Sequence, residues 1–153
     1  MTVKATVTGL AIGVEGAPKP LMREARAQLN LIEGKGVEGD KNFGKSKTRQ
    51  VNLVNARSYA WFAASFGRPL KAPGAFGEQI VVSDAIDLNW LPLGAKLKVG
   101  EALLELGTSR TPCETAAGAL NADKPSHLVG HVGVLCRVLE SGVVRNGDAV
   151  QVL

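Results

Sequence analysis

The chain has 153 residues, 45% hydrophobic and 21% charged, a balance that predicts one globular domain over residues 1–153 and excludes a disordered or fibrous chain. Two distant cysteines without a Cys-x-x-Cys pair exclude a secreted disulfide framework and predict reduced thiols in the cytoplasm. A net charge of +4 favours anionic partners such as phosphate, oxyanions or nucleic acid, and says nothing of fold.

Val3, Ala5, Val7 and Gly9 alternate with Lys4, Thr6 and Thr8, the period of a half-buried strand and not the pattern of a signal peptide. Gly13 to Pro20 supplies breakers. Ala25, Ala27, Leu29 and Leu31 then alternate with Arg26, Gln28 and Asn30, which predicts a second strand. Gly34 to Lys47 is rich in glycine and charge, has no apolar period, and reads as a long loop of the functional kind. Val51 and Leu53 open a short strand. Asn55 is placed to cap a helix over Ala56 to Phe66, with Gly67 to end it, and Tyr59, Phe62, Ala63 and Phe66 form its core face. Gln79 to Val82, Leu93 to Val99 and Ala102 to Gly107 are short and β-prone, and Thr115 to Leu120 reads as one or two helical turns. Val132, Val134, Cys136 and Val138 alternate, Glu140-Ser141-Gly142 turns, Asn146-Gly147 signals a hairpin, and Ala149 to Val152 closes. Eighteen glycines and seven prolines punctuate these elements. The sum is a mainly β chain with one or two short helices, folded as a closed or partly open β-barrel. No apolar stretch approaches the roughly 18 residues of a membrane span.

Three constellations carry chemistry. Cys113 follows Arg110-Thr111-Pro112 and precedes the short helical turns, so helix dipole and guanidinium both favour its thiolate, a nucleophile, persulfide carrier or soft-metal ligand. Cys136, in phase with three valines on one strand face, reads instead as core. Gly36-Val37-Glu38-Gly39-Asp40-Lys41-Asn42, followed by Lys45, Lys47 and Arg49, lets backbone N–H groups and cations approach an oxyanion, although it is no P-loop. In Gly74-Ala75-Phe76-Gly77-Glu78-Gln79, Glu78 braces a turn or accepts hydrogen bonds from a ligand, the brace being the simpler reading. His127 and His131 do not match a structural zinc spacing.

Gly36-Val37-Glu38-Gly39-Asp40, Arg49 with Val51 and Leu53, Gly77-Glu78, Leu93 to Leu97, Arg110-Thr111-Pro112-Cys113, Gly133, Val138 to Gly142 and Gly147-Asp148, in this order, resemble the MOSC family, named after the C-terminal domain of molybdenum cofactor sulfurase. The resemblance covers nearly the whole chain. It implies a barrel-like β fold and maps the family cysteine, catalytic residue and molybdenum ligand, to Cys113. By the same resemblance Asp40, Lys41, Arg49, Gly77, Glu78, Arg110 and Thr111 surround the cofactor cleft. The family includes sulfurases that deliver sulfur to the molybdenum cofactor and molybdenum reductases of N-hydroxylated compounds. This chain reads Lys41-Asn42-Phe43 where the family often carries an aromatic or histidine-containing stretch, and Gln79 where it often carries asparagine.

The resemblance therefore implies a protein that binds molybdenum cofactor or carries sulfur on Cys113, as a reductase or sulfurtransferase component. Its partners are then the cofactor, a sulfur donor or acceptor protein, and an external electron donor for redox turnover. The alternative is a non-catalytic sulfur carrier or cofactor-binding module. A basic β-barrel binding nucleic acid is weaker, because aromatic residues make up only 5% of the chain and no aromatic-rich basic strand offers base stacking.

Overall fold

The computed structural model describes residues 4–17, 23–112, 117–118, 120–122 and 125–153. Strand β1 (Lys4–Gly13) shows the expected alternation at first, with Ala5 and Val7 buried and Lys4, Thr6 and Thr8 exposed. Past Gly9 the alternation stops, and Leu10, Ala11 and Ile12 are all buried. The strand passes between partners as it runs: β11 (Ala149–Val152) pairs with residues 4–6, β6 (Ile80–Val82) with residues 7–10, and β2 (Arg23–Ala25) with residues 11–13.

The single strand expected from Ala25 to Leu31 is two strands. The chain turns at Arg26 and Ala27, where the Arg26 N–H donates to the Leu10 carbonyl at 2.8 Å. It then enters a separate sheet made of β3 (Gln28–Ile32), β4 (Gly36–Val37) and β10 (Gly142–Arg145). Leu29 and Leu31 are buried as the alternation requires, whereas Ala25 and Ala27 are exposed.

β5 (Val51–Asn55) runs between β6 and β9 (Val134–Glu140) and is buried at all five positions. Its pairing with β6 is parallel, so the chain must cross over between them, and α1 (Arg57–Phe66) lies in that crossover. Gly67 ends α1 in the left-handed conformation, its N–H donating to the Ala63 carbonyl at 3.0 Å. The N-terminus departs from expectation. The Asn55 carboxamide donates to the Ser83 and Ile86 carbonyls and accepts from the Leu88 N–H, so it does not cap the helix. Asp84 does so from 27 residues away, its Oδ1 accepting from the Arg57 N–H at 2.9 Å. Asp84→Ala is expected to cost about 1 kcal/mol, read as a lower urea midpoint at unchanged m value.

With β7 (Lys96–Val99) and β8 (Ala102–Ser109), seven strands close in the order β11-β7-β8-β9-β5-β6-β1, and β1 returns to β11. Closure pairs the edges that an open sheet would expose. Two 3-10 turns, Leu88–Trp90 and Pro125–Leu128, complete the described elements. The helical turns expected from Thr115 to Leu120 fall mostly outside the described residues. Val7, Leu53, Ile80, Leu97 and Leu104 fill the main core, joined by Leu29, Leu31, Val37 and Val144 from the three-stranded sheet. Phe62 of α1 packs in a second cluster with Val54, Phe76, Leu128 and Val132. Cys136 is a core residue, 0% exposed, and burial pushes its thiol up to about 12. Among the described residues no helix is long and apolar enough to cross a membrane.

Candidate functional site

A cavity of about 290 Å³ opens beside the starts of β5 and β6 and the end of β8. Arg23, Lys45, Arg49 and Arg110 line it, and among the described residues no carboxylate does. A run of hydrogen bonds holds its polar wall. Asp40, 6% exposed, accepts from the Gly13 N–H (2.8 Å) and Gln79 Nε2 (3.3 Å) at Oδ2, and from the Asn42 N–H (2.9 Å) at Oδ1. Gln79 Oε1 accepts from the Asn52 N–H at 2.7 Å, and Asn52 Nδ2 donates to the Val132 carbonyl at 3.1 Å. Arg110 Nη1 donates to the Phe76 carbonyl and, at 3.5 Å, to that of Val132. Separate stretches of chain are thereby tied together around one opening.

The side chains committed to this frame are mostly carboxamides. Gln50 joins Gln79 and Asn52, donating to the Ser46 carbonyl and accepting from the Val138 N–H. Ser46 Oγ accepts from the N–H groups of Thr48 and Arg49, a local turn that fixes the backbone from which Arg49 extends. The Lys45 ammonium lies 3.4 Å from the Glu15 carboxylate in an exposed pair, an interaction worth little in water. The cavity thus presents mainly cationic hydrogen-bond donors, the chemistry of an oxyanion site.

Behind the wall, Glu78 is 0% exposed. Its carboxylate accepts from the Gly74 N–H (2.9 Å), the Phe76 N–H (3.0 Å) and the Tyr59 hydroxyl. Burial pushes its pKa above the usual glutamate range, and those three donors pull the other way. The Tyr59 hydroxyl accepts in turn from the Ala75 N–H at 3.1 Å, and burial followed by the Glu78 charge raises its pKa. Glu78 therefore braces the 74–78 turn, the simpler of its two readings.

The residues named from sequence separate into groups. Arg49, Gly77 and Arg110 line the cavity. Asp40 and Glu78 stand behind it as buried anchors. The Lys41 backbone N–H donates to the Gly13 carbonyl at 2.8 Å, and neither Lys41 nor the exposed Thr111 is a lining residue. Cys113 lies outside the described residues. Sequence reasoning missed Arg23, Gln50 and Asn52, and it counted Asn42 and Lys45 only as members of the glycine-rich charged loop. The 2.7 Å bond between Asn52 of β5 and Gln79, 27 positions apart, shows why: the wall is built from contacts that no local pattern encodes. His131 stacks on Trp61 at 3.4 Å between centroids, and burial followed by the Arg57 charge lowers its pKa.

A MOSC domain model matches residues 39–151 of the chain. Among solved structures, the YuaD protein from Bacillus subtilis is similar with a TM-score of 0.81 at 22% identity, over 99% of this chain and 97% of its own. YiiM from Geobacillus stearothermophilus gives 0.75 at 21%, over 97% of this chain and 75% of its own. YiiM from Escherichia coli gives 0.70 at 20%, over 97% and 69%. At these identities the likeness is one of fold. No curated protein matches the chain.

Proposed function

This chain belongs to the MOSC domain family, and from that premise we propose that its basic cavity binds the phosphate end of a pterin-type molybdenum cofactor, with Cys113 as metal ligand or persulfide carrier. The observation that carries the reading is the cavity wall, which holds four cationic side chains and, among the described residues, no carboxylate. A phosphate monoester needs donors and positive charge, and that donor set fits it. Gln50, Asn52 and Gln79 are already bonded to protein groups, so recognition falls to the cations. Arg49 extends from the turn fixed by Ser46, and Arg110 from the end of β8 held to Phe76 and Val132.

Cys113 follows Arg110 by three residues. When bound, the cofactor would supply a metal centre for reduction of N-hydroxylated compounds, with electrons from an external donor protein. The protein's own residues bind the phosphate, neutralise it, and hold the start of the segment that leads to the thiol. The alternative use of the same thiol is to carry sulfur to or from a partner protein.

The test is molybdenum content after expression in a host that makes the cofactor, alongside cyanide-labile sulfur on each cysteine. Wild type is expected to carry molybdenum or labile sulfur, Cys113→Ser neither, and Arg49→Ala a reduced metal content. Thiol labelling of the folded protein should modify Cys113 and spare Cys136 until it unfolds, because burial holds the second thiol protonated. A wild type with neither metal nor labile sulfur would sink the proposal.

A further inference from the structure

We infer that Arg23 is the residue that makes the cavity selective for doubly charged oxyanions, delivered through a slot between Gly13 and Gly74. The inference rests on the reading of this cavity as the site for the anionic end of a ligand. The slot is a matter of space. β1 and β2 pair so that Gly13 and Arg23 are direct partners. A Cβ on Gly13 would come within 3.0 Å of Arg23 Cζ and Nη1 and 3.1 Å of Nε, so the guanidinium lies across the bare face of that glycine. A Cβ on Gly74 would come within 2.5 Å of Arg23 Cβ and 3.2 Å of Cγ, so the stem of the side chain fills the space there. Gly74 also has φ +102°, a conformation that side chains resist. Gly74 is therefore needed for Arg23 to reach the cavity it lines, and Gly13 leaves bare the face on which the guanidinium lies.

Two buried carboxylates attend this side chain. Asp40 holds the N–H of Gly13 at 2.8 Å, and Glu78 holds the N–H of Gly74 at 2.9 Å, so each anion is anchored to one wall of the slot. Burial lowers the pKa of Arg23, and the fields of Asp40 and Glu78 offset part of that lowering. An arginine so confined loses little side-chain entropy when it meets a ligand, and its planar fork matches two oxygens of a tetrahedral anion. Arg49 and Lys45 are exposed side chains whose charge attracts anions of any valence through solvent. Arg23 and Arg110 are partly buried, so they distinguish two negative charges from one more strongly than the exposed pair do, and Arg110 Nη1 is given over to the Phe76 and Val132 carbonyls.

The test uses the full-length chain, with sulfate as the dianion probe and nitrate as the monoanion, and affinities taken from amide chemical shifts. Wild type is expected to prefer sulfate. Arg23→Gln should weaken sulfate roughly 10- to 100-fold, the worth of one charge-assisted contact, with a much smaller effect on nitrate. Arg23→Lys keeps the charge without the fork and should recover part of the preference. Gly74→Ala should weaken sulfate more in the wild-type background than in Arg23→Gln, because the part of its effect that comes from displacing the guanidinium is absent in the variant, while the strain at φ +102° and the approach to Cβ of residue 23 remain in both. A purely structural role for Arg23 would lower both affinities together and leave their ratio unchanged. That result would overturn the inference, as would a wild type that does not bind sulfate. Failure of the cofactor reading is distinct: it shows as absence of molybdenum and labile sulfur, whatever the sulfate ratio.

Discussion

Glu78→Leu is expected to destabilise the protein by roughly 3–5 kcal/mol, a large part of the stability of a domain this size. The substitution leaves the buried N–H groups of Gly74 and Phe76 and the partly buried hydroxyl of Tyr59 without their acceptor. Each orphaned donor costs about 1–3 kcal/mol, and burial of the leucine side chain offsets only part of the sum. The melting temperature should fall by on the order of 10 °C. Glu78→Gln keeps the shape and one acceptor oxygen, so it should cost about half as much. The pH dependence has a definite sign. Burial raises the Glu78 pKa in the folded state, so over the window between the unfolded and folded values the native protein binds the extra proton. Stability from this group is complete below the usual glutamate value and is lost as pH rises through the raised one. Urea midpoints of wild type and Glu78→Gln, taken from about pH 4 upward, should therefore show wild type losing ground to the variant as pH increases. A wild-type advantage that grows with pH would refute this account of Glu78.

Elements set by local pattern are legible in the sequence. The opening of β1, the core face of α1 at Phe62, the Gly67 terminator and the burial of Cys136 all follow from alternation, helical spacing or glycine chemistry. Closure of the barrel follows from the number of short, glycine-divided strands and from the family resemblance. What escapes is decided by distant partners. The run from Ala25 to Leu31 has an unbroken period of two, yet Arg26 bonds back to Leu10 and divides it between two sheets. Asn55 has a good capping side chain, but Ser83, Ile86 and Leu88 engage it and Asp84 takes its place. Arg23 follows a run of breakers and has no motif. Its importance depends on Gly13, Asp40, Gly74 and Glu78, four residues spread from position 13 to position 78. The frame of the cavity can be sketched from Arg49, Gly77 and Arg110, whereas the cation that reaches it through the slot cannot.

Gly133→Ala carries the second large effect, and it couples stability to the site. Gly133 has φ +110°, where an L side chain costs roughly 1–2 kcal/mol. Its added Cβ would meet Asn52 Oδ1 at 2.2 Å and the Leu53 carbonyl at 2.8 Å, closer than atoms can pack. Asn52 has little room to withdraw. Its Nδ2 is bonded to the Val132 carbonyl, its N–H to Gln79, and its Oδ1 is buried without a hydrogen-bond donor among the described residues. The Leu53 carbonyl belongs to a central strand and is equally fixed. Relief must come from movement of residues 130–133 away from β5, at a total cost of about 3–5 kcal/mol. That movement carries off the Val132 carbonyl, to which Arg110 donates, and the Gly133 carbonyl, which accepts from the Arg110 N–H at 2.8 Å. The variant should therefore lose anion affinity as well as stability, although position 133 does not line the basic cavity. Asn52→Ala in the Gly133→Ala background separates the two causes. It removes the collision at 2.2 Å while leaving the cost of φ and the approach to the Leu53 carbonyl, so Gly133→Ala should cost less in an Asn52→Ala background than in wild type. If Gly133→Ala costs as much in the Asn52→Ala background as in wild type, the collision with Asn52 is not what Gly133 avoids.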